Sequence, residues 1–112
     1  MIYLDYTANT PADPDVLDAY LAAERRYIAN PNSTHIAGQE ARAEMERVTQ
    51  SIAQHLGVQP AEIIYTSGAS EANNLALKGI AHASRHIGKH IISTQLEHSS
   101  VGASLSALQQ QG

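Results

Sequence analysis

No cysteine occurs among the 112 residues, which excludes a disulfide framework, a thiolate metal site and a cysteine nucleophile within this stretch. Tryptophan and phenylalanine are missing too, and the aromatic residues are five tyrosines, so any core must be assembled from Ile, Leu, Val and Ala. Basic residues are scarce: seven Lys and Arg stand against eleven Asp and Glu, for a net charge of −4. Nucleic-acid binding by counterion release needs clustered cations, so no nucleic-acid partner is expected. No apolar run approaches the roughly 18 residues of a membrane span. The opening "MIYLDYTANT" lacks the basic and apolar regions of a secretory leader. A cytoplasmic protein without a membrane partner is the expectation. Of the six histidines, His82 and His86 stand at i, i+4 spacing within an expected helix, and no HExxH accompanies them; solvated side chains and no metal site are expected.

What is present has a readable order. A short strand, "IYLD", leads through "YTANTPADPD", whose Pro11 and Pro14 suit an irregular segment ahead of a helix. From Asp15 the apolar residues Val16, Leu17, Tyr20, Leu21 and Ile28 recur at helical spacings. "ANPNSTHIAG", residues 29–38, interrupts the pattern as an ordered loop. A second helix, about Gln39 to Leu56, aligns Ala41, Met45, Val48, Ile52 and Leu56 opposite Glu40, Glu44, Arg47 and Gln54, and Gly57 ends it. Next come a strand at "AEIIYT" (61–66), a helix from Ser70 to about His86, a strand at "KHIISTQ" (89–95) and a last helix from about Val101 to Gln111. The second half thus reads β, α, β, α, the grammar of an α/β fold with parallel strands and flanking helices. Residues 1–57 are expected to form an N-terminal strand, loop and two helices, and 58–112 the incomplete start of an α/β domain. Two parallel strands make too narrow a sheet to stand alone, so oligomerisation or a continuation beyond Gly112 is expected.

The chemistry concentrates at "TSGASEANNLALKG", residues 66–79. A strand, a small-residue turn and a helix in that order aim free N–H groups, and the positive end of the helix dipole, past the strand's C-terminal edge. An anion fits there. The alternative is structural: Ser70 is also a candidate N-cap that satisfies the first turn. Neither GxGxxG nor GxxxxGK[ST] is present, so no nucleotide fingerprint supports the first reading. In an open α/β sheet, ligands lie outside the carboxyl ends of the strands, which brings Ser67–Ser70 and Glu97–Ser99 to one rim. His98 then stands near the anion site, where an imidazole could stack on a flat ring, move a proton or hydrogen-bond its own loop. Glu71, in the first helical turn, has the place of a structural carboxylate.

Taken together, "IYLDYTANTPADPDVL", "NPNSTHIAGQEAR", "EIIYTSGASEANNLALKG" and "GKHIISTQLEHSSV" resemble, in order and separation, the N-terminal portion of a cysteine desulfurase, a class V, fold-type I pyridoxal-phosphate enzyme related to the aminotransferases. The resemblance covers essentially the whole chain. It implies a fragment of the large domain of that fold, preceded by an N-terminal helical segment. It also implies pyridoxal 5'-phosphate as cofactor, with the backbone around Ala69 and the hydroxyl of Ser70 holding its phosphate. His98 would stack on its ring and take part in proton transfer, the one catalytic residue that carries over. "YTANTP" and "NPNSTH" would lie near the site.

The implied reaction converts L-cysteine to alanine and passes sulfur to an enzyme thiol as a persulfide, with a homodimer, a sulfur-acceptor protein and iron–sulfur cluster assembly as the expected setting. Ser70 replaces the family's usual Thr, and Asn9 another Thr. The family's cofactor-bonding Lys, ring-nitrogen Asp, substrate-gripping Arg and sulfur-accepting Cys match no position here. Lys78 and Lys89, the sole lysines, are poor substitutes, so these residues by themselves are not expected to complete the reaction. Other class V enzymes, a selenocysteine lyase or an aminotransferase, would share the same cradle. A non-catalytic remnant is the reading from a different class.

Overall fold

The computed structural model describes residues 2–112. The chain divides into two units, 1–63 and 64–112. In the first, α1 spans Pro14–Arg26 and α2 spans Ile36–Leu56, followed by a short 3-10 turn at Pro60–Glu62. The second holds α3, Ala69–Ala83, and α4, Ser99–Gln111.

Three of the four α-helices begin where a side chain supplies a cap. Asp13 accepts the amide of Asp15 at 2.9 Å with Pro14 at the first helical position, a pairing that satisfies an orphan donor and presets φ. α2 starts three residues earlier than the periodicity predicts, because the His35 ring nitrogen Nδ1 accepts the Gly38 amide at 3.2 Å. Its end falls where expected: Gly57 adopts the left-handed conformation at φ 69°, and its amide returns to Ala53 and Gln54.

The loop before α2 is closed over Gly38. Ser33 N–H bonds the Asn30 carbonyl, Asn32 N–H the Asn30 side chain, and Arg42 Nε the Pro31 carbonyl, at 2.8–2.9 Å. A Cβ on Gly38 would lie 2.6 Å from the Ser33 carbonyl oxygen and 2.8 Å from that of Asn30. Glycine is required here by close approach of backbone to backbone.

In the second unit α3 and α4 pack side by side. Asn73, early in α3, bonds Ser100 in the first turn of α4. Ala81 and His82, late in α3, line a cavity with Leu105, Leu108 and Gln109 of α4. The two helices therefore run in the same direction, with both N-termini at one end.

The expected strands do not form. Among the described residues no β-ladder exists, and the segments 2–5, 61–66 and 89–95 lack strand pairing. Residues 60–62 are a 3-10 turn, and Ile63 after it is extended, at φ −87°, ψ 119°. The physical reason is the one that makes parallel strands dependent on neighbours: each needs a partner along its edges and cover on both faces. Ile64 and Ile92 instead remain 68% and 88% exposed.

Exposure of apolar side chains runs through the whole chain. Ala41 and Ala53 are its buried hydrophobic residues. The accessible surface is 9625 Å², against about 6,000 Å² for a compact monomer of this mass and about 7,200 Å² for two separate units of half the mass. The apolar face of α1 (Val16, Leu17, Tyr20, Leu21) is 48–62% exposed.

Candidate functional site at the paired helix N-termini

The helix after "TSG" starts at Ala69, with Gly68 as its N-cap and no side-chain cap. Ser70 is thus the second residue of α3, two residues past the N-cap position that Gly68 holds. The first intrahelical bond runs from Ala72 N–H to the Gly68 carbonyl at 3.1 Å, so the amides of Ala69, Ser70 and Glu71 precede the helical ladder, as the first turn of any helix must leave them. Ser70 is exposed, and its carbonyl accepts the side-chain amide of Asn74 at 2.9 Å.

Glu71 turns back rather than outward. Its carboxylate accepts the Ser67 amide at 2.6 Å and the Ser67 hydroxyl at 2.7 Å, half of a capping box displaced by one residue. These two bonds, the hydroxyl's first and the amide's second, hold the Glu71 carboxyl below its ordinary value. The structural role expected of Glu71 is what the geometry gives it. Ser67 is spent in that exchange; the Ala69, Ser70 and Glu71 amides and the Ser70 hydroxyl remain as donors at the exposed start of α3. Thr66 steadies the turn by donating to the Gly68 carbonyl at 3.2 Å.

His98 caps α4 in the way His35 caps α2. Its Nδ1 receives the Ser100 amide at 3.2 Å and lies 2.8 Å from the Ser100 hydroxyl. An N–H donor aimed at Nδ1 requires a lone pair there, so the neutral ring carries its proton on Nε2. Ser100 is 8% exposed, and its hydroxyl also accepts from Asn73 Nδ2 at 2.9 Å. Ser104, 1% exposed, donates to the Ser100 carbonyl at 2.8 Å. A polar seam thus ties the corner bearing Ser70 to the corner bearing His98. Asn73, Ser100 and Ser104 were not singled out in the sequence; the serine pair at i, i+4 on a helix rich in small residues was the signal for them.

The residues that did not suit a site remain apart from it. Lys78 lies within α3, and Lys89 Nζ donates to the Gly112 carbonyl. No group of three or more His, Asp or Glu among the described residues could hold a metal ion, and no described helix is long and apolar enough to cross a membrane.

The chain is 48% identical to the human cysteine desulfurase over 99% of its own length and 24% of that protein's. It is 42% identical to the cysteine desulfurase IscS of Dictyoglomus turgidum, over 89% of this chain and 25% of the relative. Among solved structures, a NifS-like protein superposes with a TM-score of 0.87 and 37% identity, covering 99% of this chain and 30% of that one. The chain therefore spans about a quarter of the length of the curated relatives it matches. The aminotransferase class-V family model matches residues 2–112, and the chain belongs to that family.

Proposed function

We propose that this chain supplies the cofactor cradle of a pyridoxal-phosphate-dependent cysteine desulfurase. The observation that carries the reading is the uncapped start of α3 beside the His98-capped start of α4, on two parallel helices joined by Asn73 and Ser100. The donor set fits a phosphate monoester. Two main-chain N–H groups and one hydroxyl converge on the positive end of a helix dipole, and Glu71, the one carboxylate in that turn, is engaged with Ser67.

In this reading Ala69 and Ser70 bind the phosphate. His98 would lie against the pyridine ring, with its proton at Nε2 available to be given to or taken from a reacting group. Pyridoxal phosphate, when bound, supplies an electron sink for the substrate's α-carbon. The Lys that bonds it, the Asp at its ring nitrogen, the Arg for the substrate carboxylate and the Cys that receives sulfur would come from other parts of a longer protein.

The substrate would be L-cysteine, released as alanine after sulfur passes to an enzyme persulfide and on to a sulfur-acceptor protein. The 42–48% identity to cysteine desulfurases supports that choice within the family. Segments 61–66 and 89–95 would pair as parallel strands once further strands flank them, giving the fold-type I large domain from residue 58 onward. The uncovered face of α1 suits burial against further protein, a second copy in a homodimer included.

The experiment is a titration with pyridoxal phosphate against pyridoxal. Phosphate-dependent binding that Ser70→Ala weakens is the expected result. Equal binding of both aldehydes would remove the cradle.

A further inference from the structure

The Asn73–Ser100–His98 chain of contacts is not explained by cofactor binding alone. Asn73 sits one helical turn after Ser70, half-buried on the side of α3 that meets α4. Its amide has a choice of solvent, yet it donates across the seam to a hydroxyl on a residue 8% exposed, at 2.9 Å. That donation uses one of the two acceptor lone pairs of the Ser100 oxygen, and the Ser100 O–H still needs an acceptor of its own. The acceptor within reach is His98 Nδ1, at 2.8 Å. The Ser100 amide points at the same nitrogen. In the other tautomer a proton on Nδ1 would oppose the Ser100 amide N–H and take from the Ser100 O–H, held in place by Asn73, the acceptor within its reach.

We propose that Asn73, acting through the Ser100 hydroxyl, is a positioning residue that fixes the His98 imidazole in one rotamer with its proton on Nε2. The inference rests on the reading that His98 faces the cofactor only for its use in catalysis; the tautomer itself is a property of this seam. Ser104, donating to the Ser100 carbonyl at 2.8 Å, holds the first turn of α4 under the ring. Asn74, by contrast, serves only the Ser70 carbonyl and is the natural control.

The test is nitrogen NMR of the full chain with labelled histidine, the His98 signals being identified by their loss in His98→Gln. At a pH where the ring is neutral, the wild-type chain is expected to show a pyridine-type Nδ1 and a pyrrole-type Nε2. Asn73→Ala shifts the tautomer ratio toward Nδ1–H by roughly fivefold, the worth of one neutral hydrogen bond, and Ser100→Ala does so at least as strongly. Asn74→Ala leaves the ratio unchanged. Circular dichroism checks that each variant keeps its helices, and Ser100→Ala stands in if Asn73→Ala unfolds. An unchanged ratio in the folded variants overturns the proposal, as does a wild-type ring protonated on Nδ1. Adding pyridoxal phosphate separates the two readings: movement of the ring signals bears on the proposed function, and the tautomer ratio without cofactor bears on Asn73.

Discussion

The Glu71 carboxylate accepts both the amide and the hydroxyl of Ser67, at 2.6 and 2.7 Å, and so closes the turn before α3 while leaving the helix start itself uncapped. The carboxyl is held below its ordinary 4.5 by these bonds. A depressed carboxyl contributes stability that is present above its unfolded pKa and is lost as pH falls through the folded one. Acidification below about 4.5 should therefore loosen the 66–71 turn in the wild type. In Glu71→Gln that part of the pH dependence disappears, as hydrogen exchange of the Ser67 amide will show. A Ser67 amide equally protected at low pH in both chains would contradict the assignment.

Gly38, unlike Gly57, has no room for a Cβ. Gly38→Ala drives a methyl group into the Ser33 and Asn30 carbonyls at 2.6 and 2.8 Å, and neither can move without opening the loop. Overpacking of this kind costs about 1–3 kcal/mol, measurable by urea denaturation. Gly79→Ala provides the opposite sign: it lies inside α3 with nothing within 4 Å of the new carbon, and should stabilise that helix by about 0.5–1 kcal/mol.

Ser70→Ala removes one hydroxyl from the proposed cradle without disturbing a cap, because Gly68 occupies that place. Cofactor retention should weaken by about 1–3 kcal/mol, the range for a hydrogen bond to a charged group, with helicity unchanged. Equilibrium dialysis against pyridoxal phosphate measures it, and identical affinity would take Ser70 out of the site.

How far the sequence could be read depended on the range of the forces involved. The helices and the αL glycine at Gly57 are local properties, and periodicity found them. The starts of α2 and α4 were placed late because His35 and His98 cap them through ring nitrogens, and histidine is not among the usual N-cap residues. Ser70 is a candidate cap for the opposite reason: it belongs to the usual set, but the N-cap lies two residues earlier, at Gly68. The Ile-rich segments 61–66 and 89–95 have strand composition, yet a ladder is a relation between segments, and the neighbours these segments need are absent from the described residues. The Asn73–Ser100 bond spans 27 positions and left no periodic trace. Ser70 and His98 could be proposed from their corners alone; the seam that joins those corners could not.

The most direct measurement is the backbone amide spectrum of the chain during titration with pyridoxal phosphate. The account predicts that the Ala69 and Ser70 amides and the His98 ring move together, and that pyridoxal, which lacks the phosphate, fails to move the two amides. Saturable binding that shifts other residues while Ala69, Ser70 and His98 stay still would contradict it.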